Sequence, residues 1–144
     1  MKNERQSNVS PASGEGTPPP GRVLGVYPQK QAGLYMQRVK ILGGRITWPQ
    51  WRRSAELAEA CCDGFPLHLT TRQDIELHNI RRQDVATVQQ RLAEVGLIVF
   101  GACGDSVRNI TVCPGCEFCP GGLDVMPLAQ LVRQAVDQEP VVFT

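Results

Sequence analysis

Residues Pro66–Asn79 read PLHLTTRQDIELHN, and the reading of this stretch decides the fold. Side chains alternate across a strand. The run therefore splits at Arg72-Gln73 into two strand-like halves, Pro66–Thr71 and Asp74–Asn79. Leu67, Leu69, Ile75 and Leu77 fall on one face, and His68, Thr70, Arg72, Glu76 and His78 on the other. Two such halves joined by a short polar turn predict a hairpin with one greasy side and one side rich in donors.

Working outward, Leu34–Ile41 (LYMQRVKI) has the same period. Tyr35, Val39 and Ile41 share one face; Leu34, Met36, Arg38 and Lys40 share the other. Gly43-Gly44 breaks that strand. Thr47-Trp48-Pro49-Gln50 then has the form of a capping box with proline in the first turn. The helix it opens carries Trp51, Ala55, Ala58 and Cys62 at helical spacing, and Gly64 suits its end. Downstream, Val85, Val88, Leu92 and Val95 mark a second helix closed by Gly96. Leu97–Phe100 and Val107–Val112 read as further strands around the glycine-rich turn GACGD, and Pro127–Val136 as a last amphipathic helix. The order β-α-β-β-α-β predicts an α+β fold, a ferredoxin-like split βαβ sandwich. A polar tail occupies 1–22, the sandwich 23–112, and a further segment 113–144.

Composition narrows the function classes. The 144 residues are 42% hydrophobic and 20% charged, with a formal net charge of +1, as in an ordinary globular protein. The charge is unevenly spread, however. No acidic residue lies between Glu15 and Glu56, while Arg22, Lys30, Arg38, Lys40, Arg45, Arg52 and Arg53 all do. A solvated basic surface is one reading; an anionic partner is the other. The polar sheet face, with Arg38, Lys40, His68, Thr70, Arg72 and His78 against the single acid Glu76, favours an anion. No apolar run approaches the ~18 residues of a membrane span, and the N-terminus lacks the apolar core of a signal peptide. A cytoplasmic location with reduced thiols is therefore expected. In that setting Cys113, Cys116 and Cys119 suggest zinc or iron–sulfur ligation, with Cys103 as a possible fourth ligand. Burial is the plainer reading for Cys61, Cys62 and Cys103.

Four stretches together resemble the sulfite and nitrite reductase family: QRVKILGG (Gln37–Gly44), LTTRQ (Leu69–Gln73), GDSVRNITVCPG (Gly104–Gly115), and CPGGLD followed by PLAQLV (Cys119–Val132). The resemblance spans about Gly25–Val136 and implies the ferredoxin-like half-domain of that family over 23–112, with 113–144 as the start of its siroheme and [4Fe–4S] domain. It implies that Arg38 and Arg108 bind an anionic substrate, sulfite or nitrite, at the siroheme. It further implies that Thr70, Arg72 and His78 grip siroheme carboxylates, with Gln73 in the same motif and His68 beside it. His68 stands where an arginine is familiar in some members, and Glu76 where an amide is common.

The family's cluster is held by a C-x5-C pair and a later C-x3-C pair. Cys113 and Cys119 fit the first pair and leave Cys116 extra; a later pair is absent from this sequence. No lysine follows Lys40, so the two active-site lysines of the family are absent as well. The expectation is the siroheme-binding portion of a reductase, not catalytically competent alone, with its electron donor unidentified. A non-catalytic anion- or partner-binding module is the alternative. A nucleic-acid binder with a zinc knuckle is a third reading, disfavoured because the polar face lacks aromatics for base stacking.

Overall fold

The computed structural model describes residues 24–102, 107–115, 118 and 121–138. Among these, four strands form one antiparallel sheet in the order β1-β2-β4-β3: β1 (Val26–Pro28), β2 (Leu34–Val39), β3 (His68–Leu69) and β4 (Ile75–Arg81). Helix α1 (Trp48–Cys61) follows β2, α2 (Val85–Ala93) follows β4, and α3 (Met126–Gln138) comes last. This is the anticipated mixed sheet-and-helix, ferredoxin-like layering. One strand was not anticipated from the sequence: β1 is only three residues long, too short for period-two alternation to register.

The far edge of β2 is shared. Pairing with β1 runs from Tyr35 to Gln37, and a single bridge joins Lys40 to Ile98. The strand expected at Leu97–Phe100 is thus reduced to one bridge, and 107–113 runs without regular structure. Residues Leu97–Phe100 follow Gly96, which ends α2 with φ +71°.

The core lies between the sheet and the two helices. Val39, Ile41, Ile75, Leu77 and Ile80 from the strands meet Leu57, Ala58 and Cys62 of α1 and Val85, Val88 and Leu92 of α2. The α1 stripe is centred on Ser54, Leu57 and Ala58 rather than on Trp51 and Ala55. Its start follows the sequence: the Thr47 amide donates to Gln50 Oε1 at 3.0 Å. Several sheet positions depart from simple alternation, and Met36 and Glu76 of the polar face are buried. Leu69 sits on the two-residue edge strand β3 and is exposed. Lys40 is buried, with Arg133 and Asp137 of α3 near enough to act on its charge.

A bulge in β4 explains how the core pattern continues past His78. Tyr35 faces Ile80 and Gln37 faces Leu77, so two β4 residues, His78 and Asn79, oppose the single residue Met36. Asn79 takes φ +59°, a left-handed conformation that asparagine tolerates better than most residues. The extra residue returns Ile80 to the core. Beyond β2 the chain turns through a short 3-10 segment at Leu42–Gly44, where a Cβ on Gly43 would stand 2.7 Å from Met126 Sδ. Glycine there allows α3 to seat against the turn.

Candidate anion-binding site

The site is assembled by the turn that joins β3 to β4. Thr70 Oγ1 accepts the Arg72 and Asp74 amides at 3.2 and 3.1 Å, and the Thr70 amide donates to the Asp74 carbonyl at 3.0 Å. A hydroxyl that gathers nearby backbone amides is what makes threonine effective in turns. The closed turn leaves the Arg72 side chain exposed at its tip.

A second segment is tied to the same turn. Asn109 Nδ2 donates to the carbonyls of Ile41 and Arg72, each at 2.9 Å. The Gln73 amide forms a two-point ladder with Val112, donating from Nε2 at 2.7 Å and accepting at Oε1 at 3.0 Å. These bonds bring 107–113 alongside the hairpin and carry Arg108 to the sheet. The Gln73 side chain is therefore committed to backbone and lines a neighbouring apolar cleft with Trp51, Leu69 and Pro114.

The cleft that results has a volume of about 390 Å³ and is lined by Arg38, His68, Leu69, Thr70, Thr71, Arg72, Asp74, Glu76 and Arg108. Arg38, His68, Thr70, Arg72 and Arg108, all singled out from the sequence, thus meet in one place. Thr71 was missed because it lies on the turn, where alternation no longer reports direction. His78 stands behind Glu76 rather than in the cleft wall. Cys113 is exposed just past Val112, and Cys119 lies outside the described residues.

Glu76 organises the polar face. Arg38 and Glu76 are direct cross-strand partners, and Arg38 donates to Oε1 from Nε at 2.9 Å and Nη2 at 2.6 Å. The other oxygen, Oε2, lies 3.2 Å from both His68 Nδ1 and His78 Nε2. Burial pushes this carboxyl up, but the Arg38 hydrogen bond and charge, with His78, more than offset it and hold its pKa below the ordinary value. Among the described residues no ion pair engages Arg72 or Arg108. Two cations of the cleft are open and one is closed by an internal anion.

By residue type, His68, Glu76 and His78 would also suit a metal, since their ligand atoms lie within 4.8 Å of one another. Gln29 decides the chemistry. Its Oε1 accepts the bulged Asn79 amide at 2.7 Å, so its Nε2 faces His78 Nδ1 at 3.2 Å. His78 Nδ1 must then accept, and the ring proton sits on Nε2, pointing at Glu76. In this arrangement Nε2 donates to the Glu76 carboxylate, and a metal would have to displace that proton.

Asp74 is the remaining acid. Its Oδ1 accepts the Ile41 amide at 3.4 Å, while buried Oδ2 has no hydrogen-bond partner among the described residues. Burial raises its pKa to about 6, only partly countered by that amide and by Arg38, Lys40 and Arg72.

Comparison with known proteins agrees with the resemblance read from the sequence. The model of the nitrite/sulfite reductase ferredoxin-like half domain matches residues 27–95. The sulfite reductase [NADPH] hemoprotein beta-component of Afipia carboxidovorans is 38% identical over 76 residues, covering 53% of this chain and 13% of that protein. The assimilatory ferredoxin-dependent nitrite reductase of Haloferax mediterranei is 34% identical over 101 residues, covering 62% of this chain and 17% of that one. The chain thus spans between 13% and 17% of the length of these two relatives. The solved structure of Mycobacterium tuberculosis NirA protein shares the fold, with a TM-score of 0.68 at 23% identity over 82% of this chain and 24% of that one. No helix among the described residues is long and apolar enough to cross a membrane. Over residues 27–95 this chain carries the ferredoxin-like half domain of the nitrite and sulfite reductases.

Proposed function

We propose that this chain is the siroheme-facing portion of a sulfite or nitrite reductase, in which the cleft between β2, β4 and residues 107–113 receives carboxylates of the tetrapyrrole and a small oxyanion. The observation that carries this reading is the convergence of Arg38, Arg72 and Arg108 with Thr70 and Thr71 in one cleft. The donor set fits the group: guanidinium forks and hydroxyls are suited to carboxylates and oxyanions. Glu76 does not present a bare carboxylate to the cleft, because Arg38 and His78 already bond to it. When bound, siroheme would supply the electron-accepting iron; Arg38 and Arg108 would orient the anion and stabilise its charge, while Thr70 and Arg72 would hold tetrapyrrole carboxylates. Cys113, paired with Cys119, would contribute to a [4Fe–4S] cluster, and an electron-donor protein or subunit would complete the system.

The test is anaerobic incubation of the chain with siroheme, followed by absorption spectroscopy and counts of iron, sulfide and zinc. A siroheme band at stoichiometric occupancy is expected. One zinc per chain with no tetrapyrrole uptake would overturn the reading. Arg72→Ala should weaken siroheme uptake by about tenfold, the scale of a lost charge-assisted hydrogen bond; unchanged uptake refutes its role.

The alternative, a non-catalytic module for an anionic ligand or partner, draws on one observation. Arg38, the arginine assigned to substrate, is engaged by Glu76 within the same face. Saturable phosphate binding without siroheme uptake would favour that module.

A further inference from the structure

We infer that Glu76 is a built-in competitor for the cleft's ligand, an internal carboxylate that occupies Arg38 until an incoming oxyanion or carboxylate displaces it. This rests on the anion-binding reading of the cleft and adds an order of engagement to it.

The geometry separates the cations of the cleft into two classes. Arg38 directs both Nε and Nη2 at Glu76 Oε1, and the pair is largely shielded from water, with 18% and 8% of the side chains exposed. The Arg38 guanidinium also lies over the Tyr27 ring at 5.6 Å. Arg72 is exposed on its turn, and Arg108 is held on the segment that Asn109 and Gln73 fasten down; neither has an ion-pair partner among the described residues. An arriving anion therefore meets Arg72 and Arg108 without cost in broken contacts. Reaching Arg38 requires the loss of a short, charge-assisted contact inside a partly dry site, where such contacts are strongest.

The competitor is held from both sides. The His78 Nε2 proton, placed by Gln29, points at Oε2, and His68 approaches the same oxygen. A carboxylate bonded at both oxygens is stable where it stands, and Arg38 cannot give Nε and Nη2 to a ligand in the cleft without releasing Oε1. Replacing the carboxylate with an amide keeps an acceptor for Arg38 but removes the negative charge. Glu76→Gln is thus the conservative change that weakens the competitor and leaves its shape.

The experiment titrates the full chain and its E76Q variant with inorganic phosphate, as an oxyanion probe, and separately with siroheme. E76Q should bind phosphate roughly tenfold more tightly, as expected when a charge-assisted contact no longer competes. Arg38→Met in the E76Q background should erase that gain, because the gain is access to Arg38. Equal or weaker phosphate binding by E76Q overturns the inference while leaving the cleft reading intact. Failure of both proteins to bind phosphate and siroheme removes both. Siroheme affinity rising in parallel with phosphate affinity assigns the competition to the tetrapyrrole carboxylates; a gain confined to phosphate assigns it to a free oxyanion.

A second measurement does not depend on the variant folding. In the unaltered chain, the NMR signals of the Arg72 and Arg108 Nε–H groups should shift at lower phosphate concentration than that of Arg38. A common midpoint for all three, with the Glu76 carboxyl signal unmoved, overturns the proposal.

Discussion

Asp74 shows how a single buried atom can be expensive. Asp74 lines two neighbouring clefts, its buried Oδ2 accepts from none of the described residues, and burial raises the carboxyl to about 6 from 3.8. A raised acid binds its proton more tightly folded than unfolded. The associated stability is fully present below pH 3.8 and lost as pH rises to about 6, beyond which the cost stays constant. Asp74→Asn should therefore stabilise the chain by about 2 kcal/mol at pH 7.5 and change little at pH 3.5. Urea unfolding at the two pH values measures this; an equal effect at both would show that charge is not the cause. At the same scale, the sequence identified Arg38, His68, Thr70, Arg72 and Arg108 correctly as neighbours, because alternation and motif both report direction. It could not show that Arg38 would be spent on Glu76.

Elements are placed here by side chains that bond to backbone, and two of them can be tested. Asn79 makes the β4 bulge at φ +59°. Asn79→Ala should cost about 1 kcal/mol because alanine disfavours that region, while Asn79→Gly should be nearly neutral. Thermal or urea unfolding of the pair distinguishes a backbone cause from a lost side-chain contact, since both variants lose the amide. Gln73→Ala removes both bonds to Val112 and should cost about 1–2 kcal/mol. Hydrogen exchange at the Val112 amide should accelerate by tenfold or more; unchanged protection would mean that Asn109 alone holds the segment. The helices and the β3–β4 turn were legible because the Thr47 capping box, helical spacing and turn residues act locally. The bulge was not, since its cause is the need to return Ile80 to a core formed by distant helices.

At the scale of the whole molecule, α3 turns a residue read as surface into a buried one. Lys40 belongs to the polar series by alternation, yet it is buried, and burial together with Arg133 lowers its pKa to about 8 despite Asp137 and Asp74. A lysine whose folded pKa is depressed costs stability most fully below pH 8, and the cost is relieved as pH rises from about 8 toward 10.5. Lys40→Met should stabilise the chain by about 2 kcal/mol at pH 7, with a smaller gain at pH 10. Unfolding curves at both pH values decide it, and a larger gain at pH 10 would contradict the assignment.

The sequence alone determined the run of elements from β2 to α2, the split of the hairpin into two faces, the start of α1 and the family likeness now matched over residues 27–95. Each of those is set by neighbours within one helical turn or one strand, where spacing is enough to assign a role. Only the tertiary structure decided that β1 covers an edge, that Gln73 fastens Val112, that α3 buries Lys40 and that Glu76 closes Arg38. Those outcomes depend on strand register and on packing between segments far apart in the chain. Periodicity tells which way a side chain points; it does not tell which group will be waiting there.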